Sequence, residues 1–135
     1  MIYHGIDLVE IKRVRCATER WGGRFLERIF TPGELVACAF DTLTPRYDSL
    51  AARWAAKEAA AKALGLGLSG LTAGSQIPLR FHEVEVARGP AGRPLLLLHG
   101  RAAEVVLALD LVEIALSLSH TREYAMASVV ALARE

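Results

Sequence analysis

Trp54, Glu58 and Lys62 follow one another at four-residue spacing, which puts an indole N–H, a carboxylate and an ammonium on one stripe of a helix. Arg53 and Lys57 form the stripe beside it. The plainest account is a solvated Glu58–Lys62 ion pair worth ~0.3–0.5 kcal/mol, with Lys62 also favoured near a helix C-terminus. The alternative is a charged edge along a seam. The many alanines between these groups leave a thin surface on which another backbone can approach closely. Other chemistries find little support. Cys16 and Cys38 are far apart, lack the Cys-x-x-Cys spacing of zinc or redox sites, and read as buried small hydrophobes. The histidines at 4, 82, 99 and 120 form no metal-ligand pattern. Gly65-Leu-Gly-Leu-Ser-Gly70 spells Gly-x-Gly-x-x-Gly, but it follows a helix and leads into a loop. A dinucleotide fingerprint needs the reverse context, a strand before and a helix after.

The element carrying the stripe is a helix from Leu50 to Leu64, built of alanine, leucine, lysine and glutamate with no proline or β-branched residue. Ser49 is its predicted N-cap, and Gly65 its predicted left-handed terminator. Before it, Ile2 to Leu8 reads as a strand, and Asp7 with Glu10 reads as a cap and N3 pair opening a first helix. Ile11, Val14, Thr18 and Trp21 line one face of that helix, with Arg13, Arg20 and Arg24 on another, and Gly22-Gly23 breaks it. Thr31-Pro-Gly-Glu34 spells a capping box with proline at the first helical position.

After Pro78 the pattern changes to strands. His82, Val84 and Val86 alternate with Phe81, Glu83 and Glu85, Gly89 to Pro94 makes a turn, and Leu95 to Leu98 reads as a buried strand. Ala102 to Leu109 is a short helix. Glu113 to Ser119 and Tyr124 to Leu132 are strands joined by a hairpin at His120 to Glu123. Helices first and antiparallel strands later define an α+β fold, with N-terminal helices packed on an antiparallel sheet. At 135 residues, with no repeat or long linker, residues 1–135 are expected to form one domain.

Composition narrows the partners. No apolar run approaches the ~20 residues that cross a bilayer, and no secretion signal is visible, so the expected setting is cytoplasmic, away from membranes. Net charge is only +1, yet residues 12 to 28 carry six basic residues against Glu19 and Glu27, a local +4 that calls for an acidic partner or a solvated face.

In sequence order, Gly5-Ile-Asp7, Phe30-Thr-x-x-Glu34, Trp54-Ala-Ala-Lys57-Glu58-x-x-x-Lys62-Ala-x-Gly65 and Ser117-Leu-Ser-His120-Thr121 resemble the holo-acyl-carrier-protein synthases, the small single-domain bacterial 4′-phosphopantetheinyl transferases. The resemblance runs from the first residues to the final hairpin. It implies transfer of the phosphopantetheine arm of coenzyme A to a serine of an acyl carrier protein, with release of adenosine 3′,5′-bisphosphate, in fatty acid biosynthesis. It implies Mg2+ bound by Asp7 and Glu58, and Lys62 contacting the pyrophosphate. It also implies that Arg53, His120 and Thr121 hold the nucleotide end, with Arg46 and Gly65 as further coenzyme A contacts. Arg13, Arg24 and Arg20 match the family's docking surface for the acidic carrier, and the family forms homotrimers with active sites at subunit boundaries. The group that takes the serine proton is left open among Glu58, a cation-bound water and a water relayed by Glu58. His4 stands where the family pattern has a small or apolar residue, and the stretch beyond Gly65, as far as Pro78, carries no assigned contacts. A rival reading is a non-catalytic module that binds an acidic protein or nucleic acid through the 12–28 surface. Nucleic-acid binders are usually far more basic overall.

Overall fold

The computed structural model describes residues 1–39, 43–66 and 79–135. The last four residues of the Gly-x-Gly-x-x-Gly run and the stretch after it, through Pro78, which the sequence suggested as a loop, lie outside the described residues.

Strand β1 (Ile2–Glu10) leads directly into α1 (Ile11–Trp21). Gly22, at φ +64°, breaks the chain before α2 (Gly23–Ile29). The expected capping box opens α3 (Pro32–Ala37): Glu34 N–H donates to Thr31 Oγ1 at 3.2 Å, and Thr31 N–H donates to Glu34 Oε1 at 2.9 Å. Then come α4 (Tyr47–Ala63), the hairpin β2 (Val84–Arg88) and β3 (Pro94–Leu98), α5 (Gly100–Ala108), and the long hairpin β4 (Leu111–His120) and β5 (Tyr124–Ala133). The α+β expectation is met.

The sheet order is β1-β5-β4, antiparallel throughout, so the first strand is closed into the sheet by the last. β1 pairs with β5 from Ile2 opposite Leu132 to Glu10 opposite Tyr124. That ladder corrects the reading of Asp7 as a helix cap. Asp7 lies inside the strand opposite Ala127, and the helix begins four residues later. Long-range pairing extended the strand past a local cap pattern. β2 and β3 form a separate two-stranded ladder, with β3 lying near β4.

Helix α4 lies across β1 and β5 and also meets α1, β2 and β4. It is buried on almost every side because its alanines leave room for neighbours all round. The closest approach is at Gly5, where a Cβ would overlap the Ala59 carbonyl oxygen and come within 2.7 Å of Ala63 N. The seam expected from the alanines is therefore a backbone-to-backbone contact. Helix α4 starts at Tyr47 and not at Leu50; Ser49 is a buried residue of the first turn whose N–H donates to Asp48 Oδ1 at 2.7 Å. Gly65 does take the left-handed conformation, at φ +72°.

A buried ion pair ties α4 to the rest. Lys57 donates to Glu34 Oε1 at 2.7 Å and to the carbonyls of Phe81 and Val84 at 3.0 and 2.6 Å, which uses all three of its protons. Glu34 also accepts from Val86 N–H at 2.9 Å. Burial pushes the Lys57 pKa down, and the Glu34 carboxylate opposes that shift. Both side chains are fully enclosed, so removing either would strand a charge.

Four further expectations are corrected. Phe81–Glu83 forms a 3-10 turn, so Phe81 points inward and His82 outward. β3 is covered on one face only, with Leu95 and Leu97 exposed on the other. Cys16 is exposed, whereas Cys38 is buried and its thiol pKa is raised by that burial. Trp21, expected on one helical face with Ile11, Val14 and Thr18, does not share the burial of Val14: it is 60% exposed and stacks under the Arg20 guanidinium, 4.8 Å from the ring centroid.

Candidate active site

The seam between β1 and α4 brings together residues about fifty positions apart. Alternation along β1 turns Gly5, Asp7 and Val9 toward the helix and Ile6 and Leu8 away from it. Lys62, on the last turn of α4, donates to Asp7 Oδ1 and to the Ile6 carbonyl, each at 3.0 Å. Lys62 thus pairs across the seam with Asp7, in place of the solvated pair with Glu58 that helical spacing offers. One turn back, Glu58 Oε1 accepts from the Trp54 indole N–H at 3.0 Å.

The electrostatics are those of two carboxylates crowded together. The Glu58 pKa is pushed up to about 7, first by burial, then by the neighbouring Asp7 carboxylate; Trp54 and Lys62 pull the other way. Asp7 Oδ2 is buried and lacks a hydrogen-bond partner. A buried anionic oxygen without a partner is costly, and either a proton shared with Glu58 or a cation would relieve it. Among the described residues no cluster of three or more His, Cys, Asp or Glu converges. Two carboxylates nevertheless fit magnesium, which usually takes one or two from the protein and completes its octahedron with water and substrate phosphate oxygens.

A second cluster lies at the other end of α4. Arg46, Arg53 and His120 line a cavity of about 190 Å³ together with Ser49, Ala52, Arg88, Pro94 and Leu118. Arg53 is 3% exposed, and its Nε has no hydrogen-bond partner. A buried guanidinium with an unused donor, facing a small basic cavity, suits an anion such as a phosphate. His120 Nε2 stands 3.8 Å from Asp48 Oδ2. The Thr121 hydroxyl accepts from the Tyr124 and Glu123 N–H groups at 3.1 and 3.3 Å, so it closes the hairpin turn. Arg88 and Asp48 were not among the sequence candidates. Arg88 is the last residue of β2 and donates to the Gly92 carbonyl of its own turn at 2.7 Å, and no local signal in the sequence marks it.

One chain thus gathers Asp7, Glu58 and Lys62 at one place and Arg46, Arg53 and His120 at another, but does not unite them. Five residues separate Arg53 from Glu58, about 140° around the helix at 3.6 residues per turn. Arg13, Arg20 and Arg24 are exposed on α1 and α2, as a docking surface requires. Gly65 closes α4 just beyond Lys62. On the far side of the sheet Ile2, Ile6, Leu8, Met126, Val130 and Leu132 are all at least 40% exposed, an apolar face with His4 bonded to Ser128 at 3.1 Å in its midst.

A metal-compatible carboxylate pair with a lysine, on an α+β scaffold that also carries a phosphate-sized basic cavity, is the signature of a phosphoryl-transfer enzyme. The family model for ACPS, the 4′-phosphopantetheinyl transferase superfamily, matches residues 4–129. The chain is 53% identical to a holo-[acyl-carrier-protein] synthase of Chloroflexus aurantiacus, over 98% of this chain and 99% of that protein. It is 45% identical to the corresponding protein of Dehalococcoides mccartyi, over 97% of this chain and 98% of the relative. Among solved structures, the Chronobacterium ammoniagenes ACPS–CoA complex superposes with TM-score 0.80 at 33% identity, covering 100% of this chain and 99% of that one. The Helicobacter pylori holo-[acyl-carrier-protein] synthase in complex with coenzyme A gives 0.75 at 31%, covering 98% and 100%. The chain belongs to the holo-acyl-carrier-protein synthases of the 4′-phosphopantetheinyl transferase superfamily.

Proposed function

We propose that this chain, a holo-acyl-carrier-protein synthase that moves 4′-phosphopantetheine from coenzyme A to an acyl carrier protein, works through a magnesium ion held by Asp7 and Glu58, in an active site shared between subunits of a homotrimer. The observation that carries this reading is the Asp7–Glu58 pair, with its buried, unpartnered Asp7 Oδ2 beside Lys62. When bound, magnesium neutralises the pyrophosphate and polarises the phosphorus that is attacked. The carrier serine oxygen bonds to the phosphorus on the pantetheine side, the bridging P–O bond breaks, and adenosine 3′,5′-bisphosphate leaves. Lys62, whose side chain is 58% exposed, lies over Asp7 with its ammonium able to add a pyrophosphate oxygen to its contacts. Glu58, or a water held by it, would take the serine proton.

The separation of the two clusters supports a shared site. The cavity of Arg46, Arg53 and His120 would take the nucleotide end of coenzyme A, with Thr121 beside His120, while the reacting pyrophosphate meets Asp7, Glu58 and Lys62 of a neighbouring copy, with Gly65 just beyond Lys62. The apolar outer face of the sheet is the kind of surface that association would bury. The exposed arginines at 13, 20 and 24 would receive the acidic carrier and act mainly by steering. Residues 1–135 would act as one domain. No helix among the described residues is long and apolar enough to cross a membrane. We place the enzyme in the cytoplasm, where its two free cysteines stay reduced, and assign it to fatty acid biosynthesis.

Intact-mass spectrometry of an apo acyl carrier protein, incubated with the enzyme and coenzyme A in magnesium or in chelator, tests the reading. The carrier should gain one phosphopantetheine group in magnesium only, and Glu58→Gln should abolish the gain while leaving the fold intact. Full transfer in chelator, or by the Gln variant, would refute the metal assignment.

A further inference from the structure

Trp54 is half-buried, yet it is held from two sides. Phe25 of α2 packs against its ring at 5.5 Å between centroids, tilted by 56°, and Phe81 meets it edge-on at 6.5 Å and 85°. These contacts fix the indole plane, and with it the direction of the one polar atom the ring carries. That N–H points along the helix stripe to Glu58 Oε1, 3.0 Å away. Glu58 has several rotamers open to it at a half-buried position on a helix. A donor fixed on Oε1 selects among them and leaves the rest of the carboxylate facing Asp7.

We propose that Trp54 is a positioning residue: its indole N–H presets the Glu58 carboxylate for a divalent cation, so that the cation finds an oriented ligand and not a mobile one. The proposal rests on the reading of Asp7 and Glu58 as the cation site. Outer hydrogen-bond partners of metal ligands typically contribute about 10- to 100-fold in affinity. Glu58 has a single such donor among the described residues, so the low end is expected.

The test replaces Trp54 with Phe, which keeps a packed ring and deletes the N–H. Trp54 and Trp21 are the only two tryptophans, so an indole 15N–1H spectrum has two side-chain signals, and a Trp21→Phe variant identifies which is which. In the tryptophan-containing protein, Mn2+ with coenzyme A should broaden the Trp54 signal selectively, and Asp7→Asn should abolish the broadening. Electron paramagnetic resonance should then show Mn2+ binding to Trp54→Phe weakened roughly ten-fold. The rate at low Mg2+ should fall by a similar factor and recover as Mg2+ is raised, with the carrier KM unchanged. A lesion of packing alone would not be cured by added cation. Mn2+ affinity within two-fold of the parent protein would overturn the proposal and leave the cation site standing. Failure of the parent protein to bind Mn2+ at all would overturn both.

Discussion

Replacing Gly5 with Ala tests whether the seam between β1 and α4 sets the catalytic geometry. The added Cβ would overlap the Ala59 carbonyl oxygen and lie 2.7 Å from Ala63 N and 2.9 Å from Ala59 C. Non-bonded heavy atoms sit at ~3.5–4.0 Å, so strand and helix must part by on the order of 1 Å. The obstructing atoms are backbone, and no side-chain rotation on α4 can relieve them. Overpacking of this kind costs about 1–3 kcal/mol, which for a chain of this size lowers Tm by roughly 3–15 °C. The functional loss should be larger in proportion. Asp7 is two residues along the same strand, and a shift of ~1 Å at a reacting centre can cost about 100-fold in rate. Thermal melts and the rate of carrier modification by intact mass measure the two effects. Gly23→Ala serves as the melting control, because a Cβ there meets nothing within 4 Å. A Gly5→Ala enzyme with unchanged Tm and a rate within three-fold of the parent would refute the close seam and the positioning argument built on it.

Lys57→Met should destabilise the protein by about 3–5 kcal/mol, since it leaves the enclosed Glu34 carboxylate unpaired, and adding Glu34→Gln should recover part of the loss. Urea titration at fixed protein concentration checks this, and a single-variant cost below about 1 kcal/mol would contradict the buried pair. Without metal, Glu58 holds a proton in the folded state up to about pH 7 but only to its ordinary 4.5 when unfolded. Its contribution to stability is therefore full below pH 4.5 and declines as pH rises to 7. After allowance for solvent screening this amounts to about 1–2 kcal/mol, read as the difference between the parent and Glu58→Gln in denaturation series across that range. A parallel pH dependence of the two would contradict the raised pKa. Reversing Arg13 and Arg24 to Glu should raise the carrier KM by about ten-fold or more at low salt, with coenzyme A binding measured by calorimetry unchanged. An equal loss of both would point to a damaged fold.

The parts of this fold visible in the sequence are those whose causes are local. The Thr31–Glu34 box, the helix-forming run ending at Gly65 and the final hairpin all follow from neighbours within a few residues. What local pattern misassigned was decided at a distance. Asp7 looks like a cap until β5 pairs with it, and Lys62 looks like the partner of Glu58 until β1 brings Asp7 within 3.0 Å. Lys57 and Arg53 share a stripe, yet one is sealed against Glu34 and the other lines a basic cavity. Helical spacing alone could not separate them. The candidate site was legible as a set of residues through the family's motifs, whereas its division into two clusters required the fold.

The most direct test of the account is subunit complementation. Glu58→Gln and Arg53→Ala variants should each be nearly inactive. Unfolded together and refolded in equal amounts, they would form mixed oligomers. If each active site takes its carboxylates from one subunit and its basic cavity from another, about one quarter of the boundaries in a random mixture pair two intact halves. The mixture should then regain about one quarter of the parent activity. Activity no higher than the average of the two variants, in oligomers shown by native mass spectrometry to be mixed, would mean that the two clusters of one chain serve the same site, and would contradict the account.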